Sequence, residues 1–215
     1  MNSSLVGIKG FDEMYGTIPQ GRVILLLGEP GSGNQLFALQ SLYHQAKNGR
    51  YVIFFTLDYP KEDIITEMNE YGWQYEEVKD RWKFIEQQPE ENVEEKTQEL
   101  VESIKRECWC GINTINTVIR EMKISEVIRT VERLRRTVRE NMATSYIIMM
   151  EREQEERVER GIKRIVDGII TFRRIEGNIG RMQVEKMMGK NIQWYTVIYR
   201  IMEEGIRVET TTTIR

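Results

Sequence analysis

The sequence predicts an α/β fold in which a mostly parallel central sheet is flanked by helices and ends in antiparallel strands at its C-terminal edge. Three observations lead to this fold class. Aliphatic runs alternate with segments whose apolar residues recur at helical spacing. A glycine-rich loop follows the first of these runs. From Gly168 onward the helical spacing disappears and strand-like segments follow one another across turns. Repeated strand–helix units give parallel strands, and consecutive strands give antiparallel ones.

Each predicted strand is a short run of aliphatic or aromatic residues bounded by glycine or polar residues. The strand–helix part contains runs at residues 23–27, 51–57, 82–85, 108–115 and 144–150. The C-terminal part contains runs at residues 168–175, 181–187, 194–201 and 205–208, with turns at residues 177–178, 189 and 203–205.

The predicted helices differ in how strongly the pattern supports them. One follows Gly33 and is stopped by Gly49, and the next begins near Pro60. Residues 91–107 form a charged amphipathic helix. Residues 124–140 carry a clear apolar stripe, and residues 151–164 are polar and typical of a short solvated helix.

Composition limits the class of protein. The chain has 215 residues, which suits one core, so we expect a single domain over residues 1–215. The formal net charge is -3, so the whole chain has no general attraction for nucleic acid or an anionic membrane. No apolar stretch approaches the roughly 20 residues that cross a bilayer, and no signal peptide is recognisable.

The cysteine content points to a reducing compartment. Cys108 and Cys110 are two residues apart, so both side chains of a strand would face the same side. Two thiols cannot complete a zinc site, and the one histidine, His44, is distant in sequence. We therefore expect a pair of buried, reduced thiols and a cytoplasmic location.

The most informative segment is the loop between the first strand and its helix. It consists of Gly28, Glu29, Pro30, Gly31, Ser32, Gly33, Asn34 and Gln35. Glycines allow the backbone amides to converge on an anion in front of a helix N-terminus. The spacing therefore predicts a phosphate-binding loop, with a glycine turn that binds no nucleotide as the alternative.

Two side chains of this loop differ from the full phosphate-loop pattern, which ends in Lys followed by Ser or Thr. Asn34 occupies the lysine position and cannot neutralise phosphate charge. Gln35 occupies the hydroxyl position, where a small oxygen ligand normally meets Mg²⁺. We expect phosphate binding to be weakened and hydrolysis to be weakened further.

Segments in order along nearly the whole chain resemble the single-domain, mainly archaeal KaiC-like branch of the RecA superfamily. The resemblance rests on residues 7–12 and 18–21, the loop at 28–33, the segment at 55–60, and residues 167–170 and 184–189. It implies a RecA-like P-loop NTPase fold, and ATP bound between the subunits of a ring.

The resemblance also assigns roles to single residues. Asp58 matches the catalytic glutamate position, and Asn113 matches the metal-orienting aspartate position. Lys186 matches a basic residue that reaches a neighbour's nucleotide, whereas Met188 stands where the family has an arginine. Four charge-bearing or metal-binding roles are therefore altered, at positions 34, 35, 113 and 188.

Three functions remain open on the sequence. The first is a non-catalytic, degenerate ATPase that acts through protein contacts in signalling or assembly, as a homo-oligomer or with an active paralogue. The second is an ATP-binding protein or slow ATPase that uses the intact backbone loop. The third is a DNA-binding paralogue, supported by an arginine cluster at Arg129, Arg133, Arg135, Arg136 and Arg139, which interleaved glutamates dilute. We expect weak ATP binding, poor Mg²⁺ binding, no membrane association and no nucleic-acid partner.

Overall fold

The computed structural model describes residues 3–88, 90–151, 156–191 and 196–214, with side chains up to Thr210. The strands are β1 Ser3–Ser4, β2 Ile18–Pro19, β3 Arg22–Gly28, β4 Val52–Thr56, β5 Trp82–Glu86, β6 Trp109–Asn113, β7 Thr144–Met150, β8 Gly168–Glu176, β9 Ile179–Met187, β10 Thr196–Met202 and β11 Gly205–Ile214. The helices are α1 Phe11–Tyr15, α2 Asn34–Lys47, α3 Lys61–Glu70, α4 Val93–Ser103, α5 Ile115–Glu121, α6 Ile124–Glu140 and α7 Glu156–Ile165.

Nine of these strands form one sheet, in the order β11-β10-β9-β8-β3-β7-β6-β4-β5. The strands from β8 to β5 are parallel, and β9, β10 and β11 add to the β8 edge in antiparallel fashion. The predicted fold class, including the antiparallel C-terminal edge, is confirmed. The carboxyl ends of the parallel strands lie along one edge, where βα loops form ligand sites in open sheets.

Helices cover both faces of the sheet, and alternation along the strands fills two cores. Ile24 and Leu26 of β3 pack toward α2, whereas Leu25 and Leu27 pack toward α6. The helix at Ile124–Glu140 buries the stripe that its sequence predicts, namely Val127, Val131, Leu134 and Val138. Because both faces are buried, the central strands are continuous apolar runs.

The thiol pair lies where the spacing predicts. Cys108 and Cys110 are both buried and free, their sulfur atoms are 3.7 Å apart, and both face the core under α6. The neighbouring thiol and burial raise the pKa of Cys110 well above its ordinary value, whereas the hydrogen bond between the two thiols lowers the pKa of Cys108. Cys110 is therefore the member of the pair that is held as a neutral thiol.

Several boundaries differ from the prediction. The strand expected at 108–115 stops at Asn113, and the chain starts the seven-residue helix α5 two residues later. That helix is too short to show a helical period in sequence. The strand expected at 205–208 continues to Ile214 through consecutive threonines, whose branched side chains favour strands. The expected helix at 151–164 begins at Glu156 in the described part, and residues 152–155 lie outside it.

Candidate nucleotide site

The glycine-rich loop joins β3 to α2 at the carboxyl edge of the sheet. Gly31 has φ 73° and Gly33 has φ 84°, so both adopt left-handed conformations that side-chain-bearing residues avoid. A β-carbon on Gly28 would collide with Ser32 Oγ, and one on Gly33 would lie 3.3 Å from Ile201 and Ile206. The loop is thus curled and closely packed, in the context that phosphate loops require.

Asn34 does not project from this loop toward a ligand. It is 1% exposed, and its Nδ2 lies 3.4 Å from the carbonyl oxygen of Leu26 and 3.3 Å from that of Met149. Its Oδ1 accepts a hydrogen bond from the backbone N–H of Gln35 at 3.0 Å. The side-chain amide of Asn34 therefore joins the ends of β3 and β7.

Gln35 is also engaged within the chain. Its Nε2 donates to Glu67 Oε2 on α3 at 3.2 Å. Burial raises the pKa of Glu67 above its ordinary value, and the hydrogen bond from Gln35 acts in the opposite direction. Position 35 links α2 to α3 in this arrangement.

Asp58 and Asn113 are brought together at the carboxyl ends of the neighbouring strands β4 and β6. Asp58 Oδ2 accepts hydrogen bonds from Thr114 N at 3.1 Å and Thr114 Oγ1 at 2.6 Å. Its Oδ1 accepts from Thr117 and lies 3.6 Å from an Arg120 nitrogen. The carboxylate is thus held by Thr114, the N-cap of α5, and by side chains of α5 itself.

In contrast to Asp58, the Asn113 side chain makes no hydrogen bond in the part of the chain that the structure describes. It is fully buried, and neither Oδ1 nor Nδ2 has a hydrogen-bond partner within the described residues. Gly111, two residues earlier on β6, packs against Leu42 of α2, so alternation turns Asn113 toward the same face. An unsatisfied buried amide is costly and marks a place where a ligand or water can bind.

The loop, its neighbouring strand ends and the nine-stranded sheet have counterparts in known proteins. Residues 5–213 match the family model described as "ATPase: KaiC". The chain belongs to the KaiC ATPase family. The RecA-like P-loop fold that the sequence resemblance implies is therefore confirmed.

Relatives within the KaiC family support the assignment. The circadian clock oscillator protein KaiC of Thermostichus vulcanus is 28% identical over 211 residues, which is 93% of this chain and 37% of that protein. KaiC of Rippkaea orientalis is 39% identical over 80 residues, covering 36% of this chain and 15% of that protein. The match takes in less than half the length of each relative.

A solved structure shows the same fold. The KaiC-like protein of Pyrococcus horikoshii superposes with a TM-score of 0.83 at 22% identity, covering 97% of this chain and 99% of that one. The topology of this KaiC-family chain, including the antiparallel edge, therefore has an experimental counterpart.

Beside the loop, this KaiC-family chain has an ion cluster that the sequence prediction missed. Arg173 on β8 lies between two carboxylates: Glu29 in the loop, at 3.3 Å, and Glu151 just after β7. Glu151 is buried, and its amide donates to the Gly28 carbonyl at 2.9 Å. The sequence did contain one indication of this cluster. Glu151 is a charged residue directly after the aliphatic run of β7, and β7 lies next to the strand that leads into the loop.

Lys186 lies away from the glycine-rich loop, at the end of β9 that pairs with the start of β8. Its Nζ donates to the carbonyl oxygens of Val166 at 2.5 Å and Lys163 at 3.2 Å, and so caps the C-terminal end of α7. Burial lowers its pKa, opposed by the charge of Asp167. Asp167 is fully buried and binds Arg135 at 2.9 Å and Arg139 at 3.4 Å. Two members of the arginine cluster thus have an internal partner.

Metal-binding clusters and membrane-spanning helices are both absent from the described ranges. Those ranges contain no group of three or more His, Cys, Asp or Glu side chains placed to hold a metal ion. Among their helices, none combines the length and the apolar character needed to cross a membrane.

Proposed function

We propose that this KaiC-family chain is a degenerate ATPase that binds ATP weakly, holds Mg²⁺ poorly and acts through contacts with other protein subunits. Those subunits are further copies of the chain or an active paralogue, in a signalling or assembly role. The two free, buried thiols support a reducing, cytoplasmic location.

The observation that carries the proposal is the placement of Asn34. The residue in the lysine position is neutral, buried and bonded to the carbonyls of Leu26 and Met149. The Asn34 side chain, held in this way, does not reach the outer phosphates, and it supplies no charge. Transition-state stabilisation in phosphoryl transfer is mainly electrostatic, so turnover should suffer more than binding.

The surrounding charges point in the same direction. Glu29 and Glu151 place two carboxylates next to the loop, and Arg173 is shared between them. Asp58 is occupied by Thr114 and Thr117. Mg²⁺ requires several oxygen ligands in near-octahedral geometry, and the residues that meet here offer an amide at Asn113 in place of a carboxylate.

A second candidate, a functional nucleotide binder with slow turnover, is favoured by one observation. The orphaned amide of Asn113 is the feature expected when a polar group has kept a ligand or ordered water as its partner. Nucleotide binding and the loss of hydrolysis are compatible, so this candidate differs from the first mainly in affinity.

Calorimetry and steady-state hydrolysis with Mg-ATP test the proposal. We expect a Kd weaker than about 10 µM, equivalent to roughly 6.8 kcal/mol, and turnover near the buffer background. The double variant Asn34→Lys with Gln35→Thr should bind roughly tenfold or more tightly, since it regains a charged hydrogen bond. Its turnover should stay low because Asn113 and Met188 are unchanged.

The matched control is Asn48→Lys, which adds the same charge at the exposed far end of α2. It should leave ATP affinity unchanged.

Light scattering without nucleotide tests the proposed contacts between subunits and should give a particle larger than one chain. Brisk Mg-dependent turnover by the unmodified protein would overturn the proposal.

A further inference from the structure

A cationic side chain lies at the loop from a different strand. Arg174 is on β8, directly after Arg173, and is exposed. Its Nη1 lies 3.7 Å from the position that a β-carbon on Gly31 would occupy. Its Nε donates to the Gly177 carbonyl oxygen at 3.1 Å, which fixes the stem of the side chain.

Arg174 differs from Arg173 in what its guanidinium contacts. Arg173 is held between the carboxylates of Glu29 and Glu151. The terminal nitrogens of Arg174 make no hydrogen bond or ion pair with any residue in the described ranges. Arg174 therefore retains donors for a ligand, while the charge of Arg173 is already neutralised.

Tyr199 of β10 lies between the loop and the charge of Arg174. The Tyr199 hydroxyl donates to the Ser32 carbonyl oxygen, inside the loop. Burial raises the pKa of this tyrosine, while the positive charge of Arg174 lowers it and the negative charge of Glu29 raises it. Arg174 thus lies close enough to act on a β10 tyrosine that is hydrogen-bonded to the loop.

The loop also contains an unpartnered polar side chain. Ser32 is 1% exposed, and its Oγ has no hydrogen-bond partner among the residues that the structure describes. A buried hydroxyl without a partner is costly, and a ligand held by the loop would supply one.

The first turn of α2 carries no carboxylate. The helix has no acidic residue in that turn, and its N-cap residue, Gly33, makes no side-chain cap hydrogen bond. The partial positive charge of the helix N-terminus therefore remains available to an anion, since the nearby loop carboxylate of Glu29 is already paired with Arg173. The guanidinium of Arg174 presents a planar fork of donors that matches a phosphate group.

We propose that Arg174 is a phosphate-binding residue of this chain, which reaches the loop from β8 and supplies the positive charge that Asn34 does not. Its ligand is the diphosphate group of a nucleoside di- or triphosphate, bound without a metal ion. The inference rests on the proposed function only in taking this loop as the nucleotide site. Beyond that function, the inference names the residue that binds phosphate and states that this binding requires no metal ion.

The experiment is calorimetry in EDTA with two probes, inorganic pyrophosphate and ADP. The unmodified chain should bind both, and Arg174→Ala should weaken each by about tenfold or more, as for a charged hydrogen bond. Arg174→Lys keeps the charge and loses the fork, so it should fall between the two. Adding Mg²⁺ should leave the effect of Arg174→Ala in place.

The matched control is Arg207→Ala. Arg207 is an exposed arginine on β11, and it faces away from Ile206, the residue that approaches the loop. Its loss should not change either affinity. Thermal unfolding of each variant, followed by circular dichroism, should show equal midpoints, because Arg174 makes one surface hydrogen bond.

Three results would overturn the inference: no binding of either probe in EDTA, equal affinities for Arg174→Ala and the unmodified chain, or an equal loss in Arg207→Ala. These failures are distinguishable from failure of the proposed function. Brisk Mg-ATP hydrolysis would overturn that function, yet a tenfold effect of Arg174→Ala in EDTA would still stand.

Discussion

Two buried asparagines at the carboxyl edge of the sheet occupy positions where the resemblance implies charged residues, and the structure treats them differently. Asn34 donates to the carbonyls of Leu26 and Met149 and accepts from the Gln35 amide. Asn113 is equally buried, and neither of its amide atoms has a partner in the described part of the chain.

The difference shows that loss of charge has two structural outcomes. At position 34 the asparagine is part of the scaffold, because its amide donates to the carbonyl oxygens of Leu26 and Met149. A lysine that reached toward phosphate would not make these hydrogen bonds. At position 113 the amide keeps the shape of a carboxylate without internal compensation. Restoring charge should therefore have different consequences at the two positions.

The largest effect is expected for Asn113→Asp. A carboxylate at this fully buried position has no cationic partner in the described contacts, so it should cost about 3 kcal/mol of unfolding free energy at pH 7. Burial raises the pKa of such a carboxyl. The loss should be absent below the unfolded pKa of about 4, grow as the pH rises, and level off above the raised folded pKa.

Urea unfolding at pH 4 and pH 7 in EDTA measures this loss. Gln74→Glu, at an exposed position whose side chain makes no cap hydrogen bond, controls for the added net charge and should show little change. A destabilisation of Asn113→Asp that is the same at both pH values would contradict the prediction, because an uncharged packing defect would explain it.

A smaller loss is expected for Asn34→Ala. Removing the amide leaves buried carbonyls and the Gln35 N–H with one partner fewer, which should cost about 2 kcal/mol. Asn113→Ala is the matched comparison, and it should cost less than about 1 kcal/mol, because it removes an unsatisfied group. Equal losses in the two urea titrations would remove the distinction between the two positions.

The sequence predicts the scaffold of this site well for a physical reason. Strands buried on both faces need continuous apolar residues, so the runs ending at Gly28 and Thr56 are recognisable without any contact information. The glycines of the loop are likewise required by backbone conformations that are local in sequence. The position of the loop in the fold follows from these two signals.

The directions of the side chains could not be predicted in the same way. Asn34 finds one of its carbonyl partners on β7, at Met149, and Asp58 finds Thr114 on the loop after β6. Both partners are distant in sequence, so a motif identifies the position but not the contact. Lys186 is a further example, because its amine caps α7, a helix distant in sequence. Its contact with a neighbouring subunit stays a prediction.

The smallest effect is expected at Glu67, the hydrogen-bond partner of Gln35. Like Asn34, Gln35 bonds within the chain, and the pH dependence of stability tests the state of its partner. Burial raises the pKa of Glu67 above its ordinary value, so the folded chain binds this proton more tightly than the unfolded chain does. The stability that Glu67 contributes is therefore fully present below the unfolded pKa of about 4 and is lost as the pH rises through the folded pKa.

Glu67→Gln should therefore become more stable relative to the unmodified chain between pH 4 and pH 7, by less than about 1 kcal/mol because the site is only half-buried. Urea midpoints at both pH values measure the change, with Glu132→Gln, an exposed glutamate in the middle of α6, as control. An equal gain in Glu132→Gln would assign the effect to net charge. A gain confined to Glu67→Gln would show that burial disfavours the charged carboxylate of Glu67 more than the hydrogen bond from Gln35 favours it.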